Sequence, residues 1–432
     1  MDDFVDATLA RVTETVLDNG LRVLVYPRPD VRTVDVRLGY GVGSDDSPPG
    51  LSGLAHWLEH LVFRLRTVRG DSRDDRFRSM GASANAWTSH VMTVYTTTVE
   101  KTALPDVLAV EASCMAGLVF DADECEIERD VVAAERVQIV ESDPEYVHDE
   151  LLMRVLFGDH PSGRPVIGTS DDIARYRPEA AEVFHRTWYR PANAVLTIAG
   201  DVDVDETVRL VERAFADVEA TDVPARSRPE WEPTGRADVL VRSRRVETAT
   251  VDVLFPLRSS EWGGPEARAR LDLLAFALRA RYGPIERRFA SDDIAVPTMS
   301  RSAGIRLVGP DWTVFRLTVE PSFREGRDAA RYVEEVLADP ESWTRDDMGG
   351  SLKGSFVTHI GHVFADPGRA ASELVRAVLR WGSLDGYRRY VEHGRAIADD
   401  FDTATVLNEI ADPERIVVGV LEPTAGRWEI DR

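Results

Sequence analysis

A repeated segment divides this sequence into two similar halves. The tetrapeptide Thr-Val-Asp-Val occupies residues 33–36 and occurs again at residues 250–253, which is 217 residues later. At nearly the same separation, the strand-like apolar run at 195–199 is followed by a second one at 416–420. A four-residue match alone is weak, but two matches at nearly one separation are typical of an internal repeat. The sequence therefore predicts two α/β halves of similar fold.

The residues between the two halves have the composition of an exposed linker. Positions 221–236 carry prolines among charged side chains, as connections between domains often do. We therefore predict a first half at residues 1–220, a linker at 221–236 and a structurally related second half at 237–432. A chain of 432 residues is long enough for each half to bury its own core.

Apolar spacing predicts the elements of the first half. Residues 17–26, with a turn at Asn19-Gly20, and residues 33–42 are expected to form two strands in a hairpin-like start. Alternation predicts a strand pair at 83–99, and the apolar run at 194–199 predicts a buried strand. Helical spacing predicts helices at 51–63 (with Ser52 as the N-cap), 104–118, 123–140 and 178–188. We predict an α+β fold in which each half is a mainly antiparallel sheet backed by helices.

Charge and composition exclude several classes of protein. The formal net charge of −23 would repel a nucleic-acid backbone. No run approaches the ~20 uninterrupted apolar residues of a transmembrane helix. The first residues, Met1 to Thr15, lack the basic start and apolar stretch of a secretory signal, so we expect a cytoplasmic protein with neither nucleic acid nor membrane as a partner. Cys114 and Cys125 cannot form a disulfide framework.

The segment His56-Trp57-Leu58-Glu59-His60 places two imidazoles four residues apart. On a helix both would face one side and could bind a single metal ion. A catalytic zinc site needs three protein ligands and an open position for water, so a third ligand must come from elsewhere. Glu59 would remain available as the general base that takes a proton from that water. The alternative is a pair of ordinary surface histidines, and the motif alone gives the two interpretations about equal weight.

Five sequence blocks, in the expected order, carry a resemblance to a known family. They are LDNGLRVLV (17–25), GSDDSPPGLSGLAHWLEHLVF (43–63), NAWT with TVY (85–88 and 93–95), ERDV with the residues that follow it (128–135), and the stretch 160–169 with WYRP (188–191). Together they resemble the insulinase/pitrilysin-type inverted-motif zinc metallopeptidases, which include mitochondrial processing peptidase. The resemblance covers at least residues 15–205.

This resemblance implies roles for further residues. The family's third zinc ligand is a glutamate seven residues after the one that opens the ERDV stretch, and it corresponds here to Glu135. Glu128 opens that stretch, and because seven residues make nearly two helical turns, it shares a face with Glu135 and could orient the ligands. The alternative for this helix is a solvated acidic face. Asn85 and Ala86 resemble the edge strand on which family members bind the substrate backbone, although an ordinary strand is the alternative.

The resemblance also implies a function for the first half. We expect a zinc-dependent endopeptidase with one Zn²⁺ per chain, bound by His56, His60 and Glu135, which cleaves short or unfolded peptides. In related enzymes two such chains, or one doubled chain, close around the substrate, so we expect this chain to dimerise. The competing interpretation is a non-catalytic structural subunit, since relatives of the fold also serve that role. Those relatives usually have damaged zinc motifs, whereas the motif here is complete.

One part of the family pattern is missing from the second half. Self-sufficient family members carry an arginine and a tyrosine there that contact the substrate near the zinc. The corresponding segment has Asp292 and Asp293 where Arg-Gly is expected, and Val296 where the tyrosine is expected. We therefore expect a heterodimer in which a homologous subunit supplies the pair. A self-sufficient homodimer that uses Arg281 and Tyr282 is the alternative.

Overall fold

A computed structural model gives the fold of most of the chain. It describes residues 2–226, 230–233, 235–281, 283–292, 294, 301–308, 311–320, 326–344, 349–424 and 429–431. The strands in these residues are β1 (Thr13–Val16), β2 (Arg22–Pro27), β3 (Thr33–Tyr40), β4 (Ser83–Thr88), β5 (Thr93–Glu100), β6 (Ala194–Gly200), β7 (Ala237–Ser243), β8 (Thr250–Arg258), β9 (Arg301–Val308), β10 (Trp312–Val319), β11 (Val417–Pro423) and β12 (Glu429–Asp431).

Helices alternate with these strands along the chain. They are α1 (Asp2–Leu9), α2 (Leu54–Arg64), α3 (Arg73–Met80), α4 (Leu104–Ala116), α5 (Ala122–Ser142), α6 (Pro144–Phe157), α7 (Ser170–Ile173), α8 (Pro178–Trp188), α9 (Val204–Phe215), α10 (Ser259–Trp262), α11 (Pro265–Arg279), α12 (Pro284–Ser291), α13 (Gly326–Ala338), α14 (Gly349–Ala365), α15 (Pro367–Trp381), α16 (Leu384–Ile397) and α17 (Thr403–Ile410). In the described part of the chain, no helix combines the length and the apolar character needed to cross a bilayer.

The elements form two compact units, each with one sheet. The first unit consists of Met1–Arg136, Pro165–Arg228 and His359–Arg388, and the second of Val137–Arg164, Pro229–Thr358 and Arg389–Arg432. These units differ from the predicted contiguous halves, because each contains one segment from the other half of the sequence. Within the first unit α15 packs on β3 and β6, and within the second unit α6 packs on β7 and β11. Burial of one face of each of these helices on a sheet assigns the two segments to their units.

The sheet of the first unit has the strand order β1-β2-β6-β3-β5-β4. Strands β2 and β6 are parallel, and the other neighbouring pairs are antiparallel. The predicted hairpin between β2 and β3 is wrong, because β6 lies between them. Every residue of β6 is buried, which suits a central strand. The turn at Asn19-Gly20 instead joins β2 to β1.

The sheet of the second unit repeats this topology in five strands, but its sixth strand, β12, follows β11 in the chain, whereas β1 precedes β2. Its strand order is β12-β7-β11-β8-β10-β9, and β7 and β11 form its parallel pair. The repeated Thr-Val-Asp-Val segments start β3 and β8, and their aspartates have equivalent cross-strand partners. Asp35 pairs with Thr98 and Asp252 pairs with Thr318, and each threonine donates a hydrogen bond of 2.6 Å to its aspartate. The α+β fold with two related sheets is thus confirmed.

Candidate metal centre

Helix α2 carries three of the predicted site residues and buries its opposite side. Trp57 and the leucines of this helix are buried, whereas His56 and His60 remain partly exposed. The Nε2 atom of His56 lies 3.9 Å from Oε2 of Glu135, and Nε2 of His60 lies 3.6 Å from the same oxygen. One ligand atom from each of the three residues lies within 4.8 Å of the other two. The structure therefore brings the three predicted ligands together.

The start of α2 is set by a glycine and not by the predicted serine cap. Gly53 precedes the helix with a φ of 84°, and a Cβ atom there would lie 2.4 Å from the carbonyl oxygen of Ile167. The side chain of Ser52 donates its hydrogen bond to Asp172 instead, so the prediction of Ser52 as the N-cap is wrong. Tyr176 donates a hydrogen bond of 2.6 Å to the carbonyl oxygen of Ser52. These contacts fix the first turn of the helix that carries the histidines.

Helix α5 presents both predicted glutamates to the imidazoles. Oε2 of Glu128 lies 3.4 Å from Nδ1 of His60, while Oε1 of Glu128 lies 3.1 Å from Nε of Arg64. His60 therefore has a carboxylate beside each ring nitrogen, an arrangement that fixes the orientation of a metal-binding ring. The Nδ1 atom of His56 is buried and has no hydrogen-bond partner among the described residues. The carboxylate of Glu128 supports one imidazole of the pair.

The two imidazoles have opposite pKa shifts in the metal-free chain. Burial, aided by the charge of His60, lowers the pKa of His56 to about 4. Burial also acts to lower the pKa of His60, but hydrogen bonds with Glu128 and Glu135 outweigh it and raise that pKa to about 9. The hydrogen bond with His60 lowers the pKa of Glu135. At neutral pH a proton therefore resides on His60, and a bound metal ion would displace it.

Glu59 lies on the same helix, and its carboxylate has a different partner. Its side chain is buried, and burial raises its pKa. Thr88, the last residue of β4, donates a hydrogen bond of 2.6 Å to Oε2 of Glu59. The sequence patterns do not single out Thr88 as a site residue. Its one signal in the sequence is its place at the end of the NAWT block.

Asn85 and Ala86 lie on β4, at the edge of the first sheet. Strand β4 pairs with β5 on one side and has no partner strand on the other side among the described residues. Asn85 is exposed, and its Oδ1 accepts a hydrogen bond of 2.8 Å from the backbone N–H of Ala86. An edge strand offers the backbone groups of its open side to an extended peptide.

A buried ion pair supports the end of α2 and is not predicted from the sequence. Arg73 of α3 is fully buried, and its Nη2 lies 2.7 Å from Oε1 of Glu111 in α4. Its guanidinium lies over the rings of Phe63, which belongs to α2, and Tyr95, at 4.5 and 5.1 Å. Nearly all the basic residues of this chain are arginines. No local pattern therefore shows which of them is buried.

The donor set of this centre fits a zinc ion. Two imidazole nitrogens and one carboxylate oxygen are ligands typical of catalytic zinc, and they leave a fourth position for water. All three side chains are partly exposed, so a substrate could reach that position. Carboxylates that support or accompany such ligands, as Glu128 and Glu59 do here, are also usual at zinc sites.

The predicted absence of the arginine–tyrosine pair stays a prediction. Three of the residues on which this prediction depends lie outside the described part of the chain: Tyr282, Asp293 and Val296. Asp292 is described, and it accepts a hydrogen bond of 2.7 Å from the hydroxyl of Tyr332 and a second one from Arg288. Arg281 follows α11 and is exposed.

Known proteins resemble this chain in sequence and in fold. An uncharacterized zinc protease of Mycobacterium leprae is 36% identical over 215 residues, which cover 48% of this chain and 47% of that protein. The probable mitochondrial-processing peptidase subunit beta of Schizosaccharomyces pombe is 27% identical over 270 residues, or 61% of this chain and 58% of that protein. The chain thus spans about half the length of the curated relatives it matches. A protease of Helicobacter pylori has the same fold, with a TM-score of 0.83 at 21% identity over 95% of this chain and 99% of that one.

Two family models match consecutive parts of the chain. The model described as Insulinase (Peptidase family M16) matches residues 22–170, which include every predicted site residue. The model described as Peptidase M16 inactive domain matches residues 177–283. These matches confirm the resemblance that the sequence blocks indicate. The chain belongs to the M16 (insulinase) family of peptidases.

Proposed function

We propose that this chain is the zinc-bearing subunit of an endopeptidase that cleaves short or unfolded peptides. The observation that carries the proposal is the convergence of His56, His60 and Glu135, whose ligand atoms lie within 4.8 Å of one another. This donor set provides for one Zn²⁺ per chain. Matched relatives are named zinc proteases, which supports the same activity.

The side chains of this centre have the groups that peptide hydrolysis needs. Zinc, when bound, supplies a Lewis acid that polarises the scissile carbonyl and lowers the pKa of water. Glu59 accepts the proton of the attacking water and delivers it to the leaving amine. Because burial raises the pKa of Glu59, its carboxyl group is a better proton acceptor than an exposed one. Glu128 holds the ring of His60 in the orientation that ligation requires.

The edge strand β4 supports a preference for extended peptides. We infer that the substrate backbone pairs with β4 near Asn85 and Ala86, so that the substrate adds a strand to the sheet. The same strand ends at Thr88, which contacts Glu59. A peptide aligned on this strand would therefore run close to the general base. A segment inside a folded domain cannot bind in this way, because its backbone groups are already paired.

We further propose that a homologous subunit completes the enzyme. The second half of this sequence has Asp292 at a position where self-sufficient relatives are expected to have part of the arginine–tyrosine pair. That aspartate is engaged with Arg288 and Tyr332 of its own unit. The similarity to a protein named as a processing-peptidase subunit supports an assembly of two different chains. The homodimer that uses Arg281 and Tyr282 is the alternative.

One experiment tests both the activity and the assembly. The purified chain is analysed for zinc and is then incubated with an unstructured peptide, alone and after addition of a homologous chain encoded nearby. We expect about one zinc per chain, as three ligands imply, with slow cleavage alone and fast cleavage in the mixture. Fast cleavage by the lone chain that is lost in Arg281→Ala or Tyr282→Phe would establish the homodimer. A chain without zinc that cleaves in neither condition would be a structural subunit.

A further inference from the structure

The contact between Thr88 and Glu59 joins the edge strand to the metal-binding helix. The hydroxyl of Thr88 lies 2.6 Å from Oε2 of Glu59, which is short for a hydrogen bond and typical of a hydroxyl that donates to a carboxylate. The two residues are 29 positions apart in the sequence. Glu59 is only 8% exposed, so water contributes little to holding its carboxylate. Thr88 is therefore the main constraint on this side chain that the described residues provide.

The acceptor fixes the direction of this hydrogen bond, because a carboxylate oxygen can only accept. Thr93, opposite Thr88 on β5, donates its own proton to the carbonyl oxygen of Val42 over 3.0 Å. The hydroxyls of Thr88 and Thr93 are 3.5 Å apart, which is long for a hydrogen bond. The proton of Thr88 thus points to Oε2 of Glu59. That oxygen accepts a strong hydrogen bond, and the other carboxylate oxygen, Oε1, receives none from the described residues.

We propose that Thr88 is a positioning residue that assigns different tasks to the two oxygens of Glu59, an inference that rests on the proposed peptidase function. Oε2 is held by Thr88, while Oε1 takes the proton from the attacking water. In that step the O–H bond of water breaks and an Oε1–H bond forms, while the hydroxide oxygen bonds to the carbonyl carbon of the peptide and the C=O π electron pair moves to the carbonyl oxygen. The proton then passes from Oε1 to the peptide nitrogen, the C–N bond breaks as C=O re-forms, and the amine leaves. Thr88 itself neither gains nor loses a proton.

The position of Thr88 on β4 links substrate alignment to the general base. Successive side chains of a strand alternate between its faces, so Thr88 and Ala86 lie on the same face. The backbone of β4 is the part of the sheet that would pair with the substrate. A shift of β4 along its neighbour would therefore move both the substrate and the hydroxyl that holds Glu59. The cross-strand pairs Ala86–Tyr95 and Thr88–Thr93 set that register.

Two substitutions at Thr88 test the proposal, each in the assembled form of the enzyme that cleaves peptide. Thr88→Val keeps the shape of the side chain but removes the hydroxyl, and Thr88→Ser keeps the hydroxyl. We expect Thr88→Val to lower kcat by about 10- to 100-fold with little change in KM, because the base is misplaced while the substrate strand remains. Thr88→Ser should recover kcat to within about threefold of the wild type. Zinc content should be the same in all three proteins.

A matched control separates positioning of the base from loosening of the strand. Thr96 of β5 donates a hydrogen bond of 3.2 Å to the carbonyl oxygen of Asn85, so it braces the same strand without touching Glu59. Thr96→Val should keep kcat near the wild-type value. An equal loss of kcat in Thr96→Val and Thr88→Val, or a Thr88→Ser enzyme as slow as Thr88→Val, would overturn the proposal.

Crystal structures of the zinc-loaded variants supply a readout that does not depend on activity. The side chain of Glu59 should keep its wild-type rotamer in Thr88→Ser and leave it in Thr88→Val, with the zinc ligands unmoved. An unchanged Glu59 rotamer in Thr88→Val would contradict the positioning role even if the enzyme were slow. Absence of zinc or of cleavage in the wild type would instead contradict the proposed function. The rotamer comparison would still decide whether Thr88 holds Glu59.

Discussion

Glu128 and Glu135 contact opposite nitrogens of one imidazole ring. Glu135 lies 3.6 Å from Nε2 of His60, and Glu128 lies 3.4 Å from Nδ1. The seven-residue spacing of the two glutamates places them on one face of α5, which a sequence can show. Their roles rest on the family resemblance. Glu128 supports His60 and not His56 because of the way α5 packs against α2. No local sequence pattern encodes that packing.

The substitution Glu135→Gln tests whether Glu135 is a zinc ligand. An amide oxygen carries no charge and is a poorer zinc ligand than a carboxylate, so the affinity for zinc should fall by at least ~10-fold. Competition with a chelator of known affinity measures the change. Glu124→Gln is the matched control, because Glu124 is an exposed acidic residue of the same helix. If Glu135→Gln held zinc as tightly as the control, Glu135 would not be a ligand.

The elements of the first unit show which parts of a fold follow from local patterns. The predicted helix at 178–188 has the bounds of α8, and the strands predicted in 83–99 correspond to β4 and β5. The hairpin between β2 and β3 failed because the strand that separates them, β6, is more than 150 residues away in the sequence. The N-cap at Ser52 failed because Asp172, also distant in sequence, accepts its hydrogen bond.

Helix α8 also provides a prediction on the pH dependence of stability. His185 of this helix is fully buried, and its Nε2–H donates a hydrogen bond of 2.9 Å to the carbonyl oxygen of Cys114. Burial lowers the pKa of His185 from 6.5 to about 4, although this hydrogen bond partly opposes the shift. The unfolded chain therefore binds the proton more readily than the folded chain does. Stability from His185 is present above pH 6.5 and is lost as the pH falls toward 4.

The variant His185→Gln should show a shallower loss of stability over this pH range. The glutamine amide can still donate to the carbonyl oxygen but does not titrate, and the histidine accounts for up to ~3 kcal/mol of the pH dependence. Urea unfolding at several pH values between 7 and 4 measures the slope. His362 is exposed and shows no such burial, so His362→Gln should keep the wild-type slope. Equal slopes in the two variants would mean that another group causes the acid sensitivity.

At the scale of the whole molecule, the internal repeat is the feature that the sequence shows best. The four-residue repeat falls on β3 and β8, which occupy equivalent positions in their sheets. The paired contacts Asp35–Thr98 and Asp252–Thr318 extend the equivalence to side chains. The exchange of α6 and α15 could not be predicted, because an apolar helix face does not show which sheet it covers. The predicted linker at 221–236 shows where one half of the sequence ends and the next begins. It does not show which unit α6 or α15 belongs to.

Helix α2 is proposed both to bind zinc and to carry the general base, with separate residues for the two tasks. Glu59→Gln tests this proposal most directly, since Glu59 contacts Thr88 and is not one of the three convergent ligands. Zinc content and peptide turnover are measured on the same preparation, in the assembly in which the wild type is active. We expect wild-type zinc content with turnover reduced by at least roughly 100-fold. A variant that lost its zinc, or that kept near-normal turnover, would contradict this proposal.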